Sequence, residues 1–224
     1  MAARALDLVA RHKSEYGATR SPRLVTAGPG RYLALAGRGE PGGEAFRRQV
    51  EALRAVGRAV RAATSARRKD FRLPPLEVLR WREAPAGRAG AGQGGEAAGD
   101  PGTGATPPPG ADPAASEWWK LLLRVPAFVK TRDLAAAVAS LGAGLDAGVS
   151  QVKVETLKEG RCVQALHVGP PATQRETVER MRRAAADLGL AFHGKRHEIR
   201  LSHRGRASPE RRRTILRQPV RAVR

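Results

Sequence analysis

The feature that most constrains the fold is an order of elements that occurs twice along the chain. Residues 24–36 and 152–168 each have the strand-turn-strand pattern of a hairpin, and an amphipathic helix follows each of them, at 44–66 and 176–188. Two further strand-like segments complete each half. We therefore expect an α+β fold in which duplicated hairpin-helix-hairpin repeats pair around a pseudo-two-fold axis. Such a duplication predicts one antiparallel sheet with helices on one face and a ligand groove on the other.

Local patterns place the individual elements. In the first helix, apolar residues recur at spacings of three and four, opposite a face rich in arginine. The first hairpin turn is predicted at Gly28-Pro29-Gly30, where glycine would supply the positive φ angles of a tight turn. A further helix is expected from Thr131, as its N-cap, to near Gly148. The remaining strands are predicted at residues 71–81, 119–125, 198–202 and 215–220.

The chain is predicted to form a single domain that is interrupted by one linker. Residues 84–117 consist largely of Gly, Ala, Pro and Thr and contain few apolar residues. Because burying them could not offset the entropy lost on ordering, we expect this linker to be disordered. Residues 1–22 form a basic lead-in with little apolar periodicity. The domain then spans residues 23–220, with repeat one at 23–83 and 118–126 and repeat two at 150–220.

The charge of the chain leaves two interpretations open. A net charge of +20 and an isoelectric point near 11.6 suit a polyanion partner, so non-specific DNA association is one expectation. Arginine far outnumbers lysine, and alanine, glycine and proline are abundant, so the alternative is the codon bias of a GC-rich genome. No apolar run is long enough for a membrane span, and the first residues lack a signal-peptide core. A cytoplasmic protein is the default expectation, and the oligomeric state stays open.

Sequence motifs for metals and cofactors are missing. The five histidines have no metal-ligand spacing, and Gly37-Arg38-Gly39 is too short and too charged for a dinucleotide fingerprint. The chain has neither a P-loop nor a Ser-His-Asp set. Its single cysteine, Cys162, excludes an internal disulfide and is expected to be a buried small side chain. We therefore expect no metal and no cofactor.

The segment 196–202 places a carboxylate among arginines inside a predicted strand. Because side chains alternate across a strand, Ile199 and Leu201 are expected to face the helices. Glu198 and Arg200 would then face the groove, where a ligand could contact them. The alternative for Glu198 is a surface ion pair with a neighbouring arginine, which would contribute little to stability.

Tryptophan residues add a second candidate set. Glu77 shares one strand face with Trp81 and occupies, in the first repeat, a place similar to that of Glu198 in the second. Trp119 begins another apolar strand. Each tryptophan alone is typical of a core residue. Two of them in a chain with only 4% aromatic residues, on a sheet that carries a carboxylate, favour an aromatic-lined pocket.

Short motifs follow one another along both repeats: Pro75-Leu76-Glu77 with Trp81; Trp119 with Leu123-Arg124-Val125-Pro126 and Phe128-Val129; Glu159-Gly160 with Gln164; His167-Val168-Gly169-Pro170; His197-Glu198-Ile199 with Leu201-Ser202; and Thr214-Ile215-Leu216-Arg217. In these motifs and their order the chain resembles the GyrI-like small-molecule-binding superfamily. The resemblance extends from about His12 to Val220, apart from the linker. It is strongest to the stand-alone branch that includes the cyclopropanoid cyclopropyl hydrolases.

The resemblance implies SHS2-like repeats and a hydrolase. Members of that branch open the strained cyclopropane of DNA-alkylating natural products of the yatakemycin and CC-1065 type, which gives self-resistance or detoxification. The central acidic residue of the family corresponds to Glu198. Its aromatic cage maps onto Trp81, Trp119, Phe128 and Tyr32, with Glu77 as a further candidate ligand contact.

The chain also departs from the family. Arg200 and Pro171 stand where relatives usually have tyrosine, so a role for a tyrosine hydroxyl would be lost or would pass to Arg200. In the implied chemistry, Trp81 and Trp119 sandwich a planar aromatic substrate. Glu198 accepts a proton from the attacking water, and Arg200 stabilises the developing phenolate.

Two rival functions from other classes stay open. One is a module that binds planar or cationic small molecules and releases them unchanged. The other is a basic accessory protein that associates with DNA, for which binding to duplex DNA would depend on salt.

Overall fold

A computed structural model describes residues 5–82, 117–142, 148–202 and 207–223. Within them the chain forms a nine-stranded antiparallel sheet and five α-helices. The strands are β1 (Arg23–Ala27), β2 (Gly30–Arg38), β3 (Leu76–Arg82), β4 (Glu117–Val125), β5 (Lys153–Leu157), β6 (Gly160–Val168), β7 (Leu190–Phe192), β8 (Arg196–Arg200) and β9 (Arg213–Ala222). The helices are α1 (Leu8–Arg11), α2 (Lys13–Tyr16), α3 (Glu44–Ser65), α4 (Thr131–Ser140) and α5 (Gln174–Ala186).

The sheet joins the two repeats in the order β1-β6-β9-β8-β3-β4-β2-β5, and β7 adds to β9 outside this path. The β3–β8 pair is one of the places where repeat one and repeat two meet, and Val78 lies directly opposite Glu198 in it. The α+β class and the antiparallel sheet that the repeat predicted are therefore confirmed. The linker predicted at residues 84–117 lies outside the described residues, except for Glu117, which opens β4.

The first two strands of each repeat are present, but they do not pair with each other as predicted. Instead β1 pairs with β6 of the other repeat, and β2 pairs with β5. The turn glycines do not decide this pairing, since Gly28 and Gly30 lack the positive φ of a tight hairpin turn whereas Gly160, at the start of β6, has a φ of 72°. Gly30 serves another purpose, because a Cβ there would lie 2.7 Å from the ring of Tyr32.

Helices α3, α4 and α5 cover one face of the sheet, as expected. The apolar stripe of α3, which includes Phe46, Leu53 and Val56, is buried against the strands of repeat one. In α5, Val178 and Met181 are buried against repeat two. Burying each such side chain contributes about 1.5–3 kcal/mol, so these two contacts hold the helices to what we call the helix face. Among the described residues, no helix is long and apolar enough to cross a membrane.

The other face of the sheet, the groove face, is covered by the lead-in. Here α1 and α2 are single turns of four residues each. Tyr16, the last residue of α2, packs with Leu166, Ile199 and Ile215 of the sheet. The lead-in therefore buries the part of the groove face around Ile199, and this decides where the polar side chains lie.

Candidate functional site

Strand register shows which face each candidate residue occupies. Glu77 lies opposite Leu122 on one side and Ile199 on the other, and it faces the groove. Glu198 lies opposite Val78 and Leu216, which both belong to the core beneath the helices. The expectation that Glu198 and its strand neighbour Arg200 face the groove is therefore wrong. The physical reason is that Ile199 is buried by the lead-in on the groove face rather than by the helices.

Trp119 also differs from the expected pocket geometry. It lies on the helix face, 1% exposed, and its ring packs edge-on against Phe46 at 5.2 Å between centroids. Its indole Nε1 donates a hydrogen bond to the Gln49 side chain at 2.7 Å. Gly37 provides the necessary room, because a Cβ there would lie 2.5 Å from that nitrogen. Trp119 is a core residue in this structure.

The tryptophan that faces the groove is instead Trp118, one residue earlier. Its ring is stacked with that of Trp81, with 6.3 Å between centroids and 12° between planes. Lys195 lies 3.5 Å from the centroid of Trp81, and the guanidinium of Arg38 lies 5.8 Å from that of Trp118. We call Trp81 and Trp118 the indole pair. It gives the groove face a partly exposed aromatic surface with a cation beside each ring.

The other two predicted cage residues are not part of the indole pair. Tyr32 is buried on the groove face with Leu79 and Leu122, in a cluster that Trp81 contacts. Phe128 lies in the loop after β4, where its ring packs edge-on against Phe71 at 6.2 Å. The structure therefore brings Tyr32 and Trp81 into one groove-face cluster and leaves Phe128 with the helix-face core.

Glu77 lies on the same face of β3 as Trp81, and ionisable side chains form a buried network around it. The Tyr16 hydroxyl donates to Glu77 Oε1 at 2.5 Å, and His197 Nε2 lies 3.0 Å from Glu77 Oε2. On the other side of the imidazole, His197 Nδ1 lies 3.0 Å from Glu159 Oε2. Both imidazole nitrogens thus lie at hydrogen-bond distance from a carboxylate oxygen, and attraction between opposite charges holds these groups together. We call Tyr16, Glu77, Glu159 and His197 the groove network.

The groove network fixes the charge of its histidine. Burial disfavours an imidazolium, but the carboxylates of Glu159 and Glu77 outweigh that effect and raise the pKa of His197 to about 9. Burial likewise opposes ionisation of Glu159, but His197 and Arg217 lower the pKa of that carboxyl to about 2. His197 therefore carries a positive charge near neutral pH and balances part of the negative charge beside it.

Two buried arginines attach the lead-in to this network. Arg217 donates to Glu159 at 2.8 Å and to the backbone carbonyl of Glu15 at 2.6 Å. Arg124 donates to the carboxylate of Glu15 at 2.8 Å. Some of the positive charge of the chain is thus consumed in internal ion pairs on the groove face.

Sequence reasoning missed most of the groove network. Glu159 and His197 appeared only within the motifs that carry the family resemblance, and no role was predicted for them. The pocket tryptophan was predicted to be Trp119 and not its neighbour Trp118. The alternation of side chains along a strand could have predicted the position of His197, because it must lie on the face opposite that of Glu198. It could be used only once the face of Glu198 was known.

Glu198 itself lies in a cluster of arginines on the helix face. Its carboxylate is 3.0 Å from Arg80, 3.5 Å from Arg200 and 3.8 Å from Arg196. Burial opposes its ionisation, but these arginines, Arg80 foremost, lower the pKa of Glu198. The ion pairs considered as the alternative reading of Glu198 are therefore present, although they are buried rather than on the surface. Within the described ranges, no group of three or more His, Cys, Asp or Glu side chains could hold a metal ion.

Comparisons with known proteins find similarity to several solved structures. No family model and no curated protein sequence matches the chain. A conserved uncharacterized protein from Listeria innocua is 28% identical, with a TM-score of 0.79 over 96% of this chain and all of that one. Two structures described as a hydrolase from Listeria innocua are 27% and 28% identical, with TM-scores of 0.77 over 96% and 97% of this chain and all of theirs.

A more distant likeness concerns the fold alone. The C-terminal domain of EcmrR is 10% identical, with a TM-score of 0.51 over 90% of this chain and 98% of that domain. Together these likenesses support the α+β fold described above.

Proposed function

We propose that the chain is a hydrolase that opens the cyclopropane ring of planar, DNA-alkylating natural products. The observation that carries this proposal is the position of Glu77, a buried carboxylate on the groove face between a tyrosine hydroxyl and an imidazolium. The likeness to hydrolases from Listeria innocua over the full length of those chains supports the reaction class. The finer substrate class rests on the resemblance of the sequence motifs.

Substrate binding falls to the indole pair and the apolar cluster beside it. A flat aromatic substrate can stack on an exposed indole face with little loss of conformational entropy. In this proposal it replaces Lys195 over Trp81 or Arg38 over Trp118, the cations that lie against these rings. Leu79 and Leu122 supply the apolar contact surface below.

Glu77 takes the role of general base in this proposal. Water attacks a cyclopropane carbon, the strained C–C bond breaks, and its electron pair moves through the dienone to the carbonyl oxygen. Glu77 accepts the proton that the water loses, and the phenolate formed at the former carbonyl is protonated, so the product is the substrate plus one water. For this step Tyr16 must release the carboxylate, which its hydroxyl now occupies at 2.5 Å.

In this proposal Tyr32 stabilises the charge that develops on the substrate oxygen. Burial, with the charge of Glu77 adding to it, raises the pKa of Tyr32, so its hydroxyl stays protonated and can donate. This hydroxyl takes the part that the sequence-based mechanism gave to Arg200. It also supplies a tyrosine to the groove from β2, a position other than the two at which relatives usually have one.

The experiment is incubation of the chain with a cyclopropane alkylator of the CC-1065 type, followed by mass analysis of the small molecule. We expect a product heavier by one water, formed at a rate proportional to the protein concentration. If the ligand binds tightly but is recovered unchanged, the protein sequesters the small molecule and does not hydrolyse it.

A further inference from the structure

A second polar region lies on the helix face of the sheet, opposite the groove. It is a cleft of about 80 Å³ between the loops that precede α3 and α5. Its charged lining, which we call the arginine cleft, consists of Arg80, Glu198, Arg200, Arg212 and Arg213. None of these residues takes part in the groove chemistry proposed above, so the two sites can be tested separately.

Positive charge exceeds negative charge in the arginine cleft. Glu198 is the one carboxylate among its described lining residues, against four arginines. Glu117, which does not line the cleft, also pairs with Arg80 and neutralises part of its charge. Arg196, which lines a neighbouring cavity together with Arg80, adds a further guanidinium 3.8 Å from Glu198. One carboxylate cannot neutralise this many cations, so the cleft holds a charge that favours an anion.

Hydrogen-bond donors in and beside the cleft also lack acceptors. Within the described part of the chain, the buried Nε atoms of Arg196 and Arg212 have no hydrogen-bond partner. Burial lowers the pKa of Arg196, and although Glu198 acts against this, repulsion from Arg80 adds to it. Buried donors without acceptors cost free energy, which an added oxyanion would recover. Gln174, the first residue of α5, lines the cleft as well, so the positive end of that helix borders it.

We propose that the arginine cleft binds a phosphate group, either as inorganic phosphate or at the end of a small molecule. A water needs roughly 10–15 Å³ of such space, so about 80 Å³ accommodates a tetrahedral oxyanion. Arginine holds phosphate oxygens in pairs through its planar fork of N–H groups. A dianion matches the excess of positive charge better than a carboxylate does. The two enclosing loops favour a terminal phosphate over the diester of a DNA duplex.

The test is calorimetric titration of the full chain with sodium phosphate, at an ionic strength kept constant with sodium chloride. We expect saturable binding that Arg212→Gln weakens by about tenfold or more, because charge-assisted hydrogen bonds to phosphate are lost. Arg221→Gln is the matched control, since it removes the same charge from an exposed arginine near the end of β9. Absence of saturable binding, or equal binding by Arg212→Gln and wild type, would overturn the proposal.

A second variant acts in the opposite direction. Glu198→Gln removes the carboxylate that competes for the same arginines, so we expect phosphate to bind more tightly and to raise the melting temperature more than in wild type. Weaker binding by this variant would also overturn the proposal, even if Arg212→Gln failed to fold.

Two further titrations distinguish the sources of phosphate. If phenyl phosphate binds as inorganic phosphate does, the cleft takes the terminal phosphate of a small molecule; if only inorganic phosphate binds, it takes the free ion. A DNA duplex that binds through Arg212 while both small phosphates fail would contradict the proposal in favour of a nucleic-acid surface.

Discussion

Val78 and Glu198 are direct partners across the β3–β8 strand pair, so their side chains leave the sheet on the same side. Val78 is fully buried beneath the helices, and Glu198 therefore lies on the helix face among arginines. Glu77, the residue before Val78, faces the groove. The two glutamates that occupy similar places in the two repeats thus serve different surfaces of the sheet, and we assign them different ligands.

The indole pair and Trp119 are expected to respond differently to truncation. Trp119→Ala should lower the free energy of unfolding by about 3–5 kcal/mol, because it leaves a cavity in the core. Trp81→Ala should lower it by about 1 kcal/mol, the contribution of an aromatic pair, while weakening the binding of a planar ligand. Urea unfolding and ligand titration of both variants measure this. If Trp119→Ala folds but no longer binds the ligand, and Trp81→Ala still binds it, then Trp119 is the ligand contact and our assignment of the two residues is wrong.

The buried imidazolium predicts a loss of stability at alkaline pH. The pKa of His197 is about 9 in the folded chain, above its ordinary value of 6.5, so its stabilising contribution is complete below pH 6.5 and is lost as the pH rises through 9. Unfolding free energies measured between pH 6.5 and 9.5 should therefore fall in wild type. The slope should be smaller in His197→Gln, and an unchanged slope would exclude His197 as the titrating group.

The opposite sign applies to Glu159 at acid pH. Its pKa is about 2 in the folded chain, below its ordinary 4.5, so its contribution is present above pH 4.5 and is lost as the pH falls towards 2. Wild type should lose stability over that range, and Glu159→Gln should show a shallower loss. Identical acid unfolding of the two proteins would contradict the ion pairs of Glu159 with His197 and Arg217.

The hydrogen bond from Tyr16 to Glu77 should be measurable as an energetic coupling. Tyr16→Phe leaves a buried carboxylate oxygen short of its donor, at a cost of about 1–3 kcal/mol in unfolding free energy. The same change should cost less when Glu77 is already Gln, because the charged acceptor is gone. A double-mutant cycle from urea unfolding gives the coupling. Additive effects would show that the lead-in does not hold the groove through this contact.

Several elements could be predicted because their signals are local. The spacing of Phe46, Leu53 and Val56 predicted α3 close to its observed bounds, and the strand patterns located all but β7, which has three residues. The strand exchange between repeats could not be predicted, since a turn motif says nothing about which distant strand will pair.

The prediction that Glu198 faces the groove was wrong for a specific reason. The prediction assumed that an apolar side chain in a strand points to the helices, which holds only when the other face is open. Here Tyr16 of the lead-in buries Ile199 on the groove face, through a contact across more than 180 positions of sequence. Contacts of that kind, including those of Glu15 with Arg124 and Arg217, leave no periodic pattern.

The central claim, that Glu77 is the general base, is tested most directly by comparing two amide variants with wild type. Glu77→Gln should yield no hydrated product from a CC-1065-type alkylator, as measured by mass analysis of the small molecule. Asp133→Asn is the matched control, because it changes a buried, ion-paired carboxylate on α4 away from both sites. Its activity per folded molecule should equal that of wild type. Loss of product in Glu198→Gln with retention in Glu77→Gln would contradict our account and return the catalytic role to the strand motif from which it was first predicted.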